Sequence, residues 1–92
     1  MYLRDNKITT LKIMTNQEIN KKAAFLLSLF ARQSQHESLS KRWLQINAAI
    51  SDIYNEMAAK GDSTFSAFDL AAETLDKNNP GLDWESNWEQ AL

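Results

Sequence analysis

The stretch from Leu39 to Met57, LSKRWLQINAAISDIYNEM, decides the fold. Its apolar residues Leu39, Trp43, Ile46, Ile50, Ile53 and Met57 are spaced four, three, four, three and four apart. That alternation keeps one side of an α-helix apolar for nearly three heptads. Lys41, Arg42, Gln45, Ser51, Asp52 and Asn55 fill the other side. The pattern predicts an amphipathic helix with a seam that must be covered by other helices. Ser38 or Ser40 can cap its start, and Gly61 can end it in a left-handed conformation. Tyr54 flanks the seam, and Glu56 is placed to pair with Lys60 one turn on.

Upstream, Thr15-Asn16-Gln17-Glu18 is a capping box, with Thr15 as N-cap and Glu18 three residues on. It predicts a helix over 16–33. Ile19, Ala23, Leu26, Leu27 and Phe30 form its core face, and Phe25 and Leu29 a second stripe. Together the apolar arc covers about 260°. Such a helix is central to its domain or lies in a subunit interface. Phe25 and Leu29 are therefore the candidate contacts of a homodimer.

Downstream, Asp62, Ser63 or Thr64 is expected to cap a third helix running to about Lys77, with Phe65, Phe68, Ala72 and Leu75 as its seam. Asn78-Asn79-Pro80-Gly81 breaks it. Asp83 then caps a last short helix bearing Trp84, Trp88 and Leu92 on one side. The fold expected is all-α: a small antiparallel bundle of three main helices plus a short C-terminal helix. Residues 15–92 form the domain. Residues 1–14 are an N-terminal arm or extension, in which Ile8, Leu11 and Ile13 fit no clean period. A helix start directly after Met14 also suggests that residues 1–13 are dispensable.

Composition narrows the function. The chain has 92 residues, two glycines, one proline and no cysteine. One thin helical core is all it can build. Disulfides, thiol catalysis and thiolate-bound zinc are excluded, and His36 is the single histidine. The longest apolar run, Ala23 to Leu27, is far too short to cross a membrane. No secretion signal is evident at the start, so a cytoplasmic location is expected.

Motifs for chemistry are sparse. Asp76-Lys77-Asn78-Asn79-Pro80-Gly81 resembles the front half of a calcium-binding EF-hand loop, with acid, Asn and Gly at positions 1, 3 and 6. Pro80 at position 5 and Asn87 at position 12 then deny it the oxygens that would close the site. No phosphate loop or nucleophile motif occurs, and His36 lies in a polar connector. No cofactor and no catalytic activity is expected.

What remains by exclusion is binding. A small non-catalytic protein-interaction module, an inhibitor, adaptor or accessory factor, is the leading reading. Small size suggests a phage or mobile element as its source. The tail is the candidate contact: Trp84 and Trp88 one turn apart, with Glu85 and Glu89 beside them. Of the two indoles, Trp88 is expected to be the more buried, with Trp43 as the buried reference. Charge supplies the alternative. Residues 1–60 hold nine Lys/Arg against five Asp/Glu, and residues 61–92 one against seven. The plainer reading is attraction between the two ends. The other is a small DNA-binding regulator using Lys21, Lys22, Arg32, Lys41 and Arg42.

Overall fold

The computed structural model describes residues 14–88. They form α1 (Asn16–Gln33), α2 (Lys41–Ala59), α3 (Asp62–Asn78) and the single turn α4 (Trp84–Asn87). No strand occurs among the described residues. The fold is the all-α bundle that the spacing predicts. Residues 1–13 and 89–92, including Glu89 and Leu92, lie outside the described residues.

Helix α1 begins where the capping box places it. The Thr15 hydroxyl accepts from the Glu18 backbone N–H at 3.1 Å, and the Glu18 carboxylate accepts from the Thr15 N–H at 2.9 Å. Met14, one residue before the cap, packs on the core that contains Ile19. Those two positions are the hydrophobic staple that fixes the entry of the chain into a helix.

All three other helices pack on α1. Residues Ile19, Ala23, Leu26 and Leu29 meet Ile46, Ile50, Ile53 and Met57 of α2 and Phe68 and Ala72 of α3 in one core. Lys22 near the start of α1 pairs with Glu56 near the end of α2 at 3.1 Å. Gln33 at the end of α1 donates to Asn47 Oδ1 near the start of α2 at 3.1 Å. The two helices are therefore antiparallel. Ala23 and Ala24 are fully enclosed, and the buried Ser28 hydroxyl is satisfied by the Phe25 carbonyl at 2.6 Å. Small side chains let neighbouring backbones come close, and an unsatisfied buried hydroxyl would cost about 1–3 kcal/mol.

This arrangement accounts for the wide apolar arc of α1. Leu29 is only 7% exposed and belongs to the chain's own core. Phe25 packs against Trp88 with ring centroids 5.6 Å apart and ring planes tilted by 57°. Of the two expected homodimer contacts, Leu29 is therefore enclosed by its own chain, while Phe25 stays 38% exposed beside Trp88. Phe30, placed in the core by periodicity, is exposed instead.

Further details differ from the spacing alone. Leu39 does not open the α2 seam. It stands before the N-cap Ser40 with φ of 65°, in the left-handed region, and Trp43 is half-buried rather than enclosed. Glu56 reaches across to Lys22 and not along its own helix to Lys60. Helix α3 starts directly from Gly61, whose φ is 111°, with no side-chain cap. Only Lys60 and Gly61 separate α2 from α3, so the chain must reverse before Ser63 or Thr64 can act as caps. Asp62 instead opens the first turn, where a carboxylate complements the helix dipole.

Candidate interaction surface

The tail resolves into a clasp across α1. Asp83 caps α4 by accepting from the Ser86 N–H at 3.3 Å. Trp84 is 6% exposed and Trp88 is half-buried against Phe25, which reverses the expected order of the two indoles. The reason is positional. Trp84 is the first residue after the cap, on the turn that lies on α1, whereas Trp88 sits past its end. Glu85 receives Arg32 Nε in an ion pair and Gln35 Nε2 at 3.5 Å. That pair joins the basic half to the acidic end, as the plainer reading of the charge asymmetry expects. Arg32 is half-exposed there, so the ion pair contributes no more than about 1 kcal/mol. Enclosing Trp84 contributes more, about 1.5–3 kcal/mol on the scale of large apolar side chains.

The basic residues do not converge. Lys22 pairs with Glu56, Arg32 with Glu85, and Arg42 Nη1 donates to its own-helix neighbour Gln45 at 3.1 Å. Lys21 and Lys41 are exposed on different helices. Asp76 to Asn78, the front of the partial calcium motif, are still part of α3 and form no loop. Among the described residues no group of three His, Cys, Asp or Glu could hold a metal ion. Likewise, no helix among them is long and apolar enough to cross a membrane.

Among the described residues, two titrations depart from the ordinary. The two hydrogen bonds from Thr15, backbone and then side chain, hold the Glu18 carboxyl below the usual carboxylate range. Burial first, then the nearby Asp69 carboxylate, pushes the Tyr54 hydroxyl up. Tyr54 belongs to an aromatic cluster with Phe65 and Phe68, at centroid distances of 6.2 and 5.9 Å. Both shifts arise from structural contacts, a helix cap and a core edge.

The surface that stands out is at the start of α2. Leu39 is 70% exposed and Leu44 48% exposed, on either side of Ser40 and the two cations Lys41 and Arg42. They occupy the N′ and N4 positions around the cap, the same places as Met14 and Ile19 around Thr15. Periodicity had drawn Leu39 into the seam and passed over Leu44. The available signal was that Leu44 is an isolated leucine about 150° from the centre of the α2 seam, among polar neighbours. No protein-family model, no curated protein and no solved structure matches the chain.

Proposed function

We propose that the chain is a small, non-catalytic protein-interaction module of the cytoplasm, an inhibitor, adaptor or accessory factor, that binds through the start of α2. The observation that carries the reading is the exposed pair Leu39 and Leu44, held around an N-cap and flanked by Lys41 and Arg42. An exposed leucine costs nothing decisive on its own, and single ones are common. Two at the staple positions of one helix start, with one in left-handed backbone, place exposed apolar surface beside two positive charges. Its complement is an apolar groove with a carboxylate rim on a partner protein. The tail supports this choice by default, since Trp84 is already enclosed by its own chain.

The test compares three variants in pull-downs from native lysate. Leu39→Ser with Leu44→Ser should lose the captured partner while the helical circular dichroism stays unchanged. Trp88→Ala should keep it. Retention by the leucine pair and loss by Trp88→Ala would return the binding site to the tail. A salt-titrated DNA-binding measurement runs beside them. Tight binding with a steep salt slope through Lys21, Lys41 and Arg42 would replace this reading with the DNA-binding one.

A further inference from the structure

The start of α2 calls for an apolar groove edged with carboxylates, and the chain itself carries one. A shallow groove runs between α1 and α3, lined by Asn16 and Asn20 from α1 and by Ala67, Leu70, Ala71, Thr74 and Leu75 from α3. Thr74 is the polar member of the α3 wall, and Leu70 is 63% exposed. On the other side of Leu70, Asp62, Asp69, Glu73 and Asp76 follow at spacings of seven, four and three. That spacing sets them along one flank of α3. All four are exposed, and Lys77 is the one cation of the helix. We propose that the start of α2 from a second copy of this chain docks on this face, with Leu39 and Leu44 against Leu70 and the groove, and Lys41 and Arg42 toward the carboxylates. The inference rests on the start of α2 being a binding surface, and it names a partner for it.

Charge pattern and position both support this occupant. Lys41 is one turn before Leu44 on α2, and Glu73 is one turn after Leu70 on α3. Two antiparallel helices with Leu44 over Leu70 therefore bring the cation level with the carboxylate. A parallel alignment would set Lys41 level with Ala67 instead. A single chain cannot make this contact. The groove takes in Asn16 and Asn20 from the first turns of α1, whereas Gln33, the last residue of α1, donates to Asn47, three positions beyond Leu44. Asn20 and Gln33 are thirteen positions and about 20 Å apart along α1. The two surfaces thus lie toward opposite ends of α1, and only another copy brings them together. Because the surfaces differ, the contact is head-to-tail. Each docked pair keeps one unused groove and one unused α2 start, so association runs on past a dimer or closes into a ring.

Sedimentation of the full chain over a rising concentration series tests this by complementation. The wild-type mass should climb past twice the chain mass. Leu39→Ser with Leu44→Ser disables one surface and Leu70→Lys the other. All three leucines are exposed, so circular dichroism should show unchanged helical content. Each variant alone should remain at one chain mass. Mixed together they should form a species of two chain masses and nothing larger, because each supplies the surface that the other lacks. A wild type that stays at one chain mass would overturn the proposal. So would a mixture that stays there, because the two surfaces would then not meet each other. Association that survives in either variant would also overturn it and place the contact elsewhere, Phe25 included. The reading of the α2 start fails separately. If the leucine pair variant loses a captured lysate protein while wild type stays at one chain mass, that surface still binds a partner, and the partner is not this chain.

Discussion

Helices α1 and α2 begin with the same local grammar and put it to opposite uses. Each has a hydroxyl N-cap, Thr15 or Ser40, with an apolar residue one position before it and another four positions after. At α1 those residues are Met14 and Ile19: Ile19 is in the core and Met14, half-buried, packs against it. At α2 they are Leu39 and Leu44, and both stay in solvent. The caps differ as well. Glu18 returns a bond to the Thr15 N–H, whereas the third residue of α2 is Trp43 and returns none. The first start is built for stability. The second keeps the apolar side chains but turns them outward, with Leu39 in a backbone region that costs an L-residue about 1–2 kcal/mol. A feature that spends stability without burying surface is where a binding role is expected.

The largest test of that contrast is truncation at matched positions. Ile19→Ala removes a core side chain and should destabilise the protein by about 2–4 kcal/mol, through lost transfer energy and a cavity. Leu44→Ala occupies the same place relative to its cap and should change stability by less than about 0.5 kcal/mol. Urea denaturation of the two variants reads both. A loss above about 1.5 kcal/mol for Leu44→Ala would show that α2 also relies on its staple.

Why periodicity separated these two starts only in part is plain from the residues. The capping box fixed the first residue of α1, and the four-three spacing found Ile46, Ile50, Ile53 and Met57, all of which are buried. A helical wheel reports which side chains share a face. It does not report whether a neighbour reaches that face. Phe30, near the end of α1, and Leu39, before the cap of α2, each fall on an apolar face by spacing, yet both are exposed. For the same reason the broad arc of α1 reads equally well as a dimer surface or as a face partly covered by α4, which sets Trp88 beside Phe25. The binding surface proposed at α2 was the least legible part. It consists of residues that fail to be buried, which a pattern of burial cannot announce.

A second comparison uses the caps themselves. Thr15→Ala removes one half of a reciprocal box and should cost about 1–2 kcal/mol. Ser40→Ala removes a single bond of 3.3 Å and should cost less, about 0.5–1 kcal/mol. Thermal melts of the two variants, measured together, give the order. The reverse order would mean that the Leu39 turn depends on Ser40 more than α1 depends on its box.

Smaller still is the effect of relieving the turn. Leu39→Gly removes the left-handed penalty of about 1–2 kcal/mol but adds about 0.5–1 kcal/mol of backbone entropy on folding, so the net change should be a stabilisation of about 0–1.5 kcal/mol. Partner capture should nevertheless fall, since the surface loses one of its two leucines. A stability loss above about 1 kcal/mol would show that the Leu39 side chain contributes to the fold, and the contrast between the two helix starts would weaken.

The faintest difference is in acid, and its sign follows from the cap. Glu18 is ionised more readily in the folded chain than in the unfolded one, because its carboxylate accepts the Thr15 backbone N–H and is bonded to the Thr15 hydroxyl. A carboxyl whose folded pKa is depressed adds stability above its unfolded pKa, and that contribution is lost as pH falls through the folded value. The start of α2 has no acid in its first turn and so has no such component. Glu18→Gln preserves a side chain able to accept from the Thr15 N–H but cannot titrate. Wild type should therefore lose stability relative to Glu18→Gln as the pH is lowered from about 5 to about 3, with the gap between them closing from the neutral side. Because Glu18 is exposed, the effect should be small and should shrink in high salt. Parallel acid titrations for the two proteins would show the box to be carried by hydrogen bonds alone, leaving the core packing of Met14 and Ile19 as what distinguishes the start of α1 from that of α2.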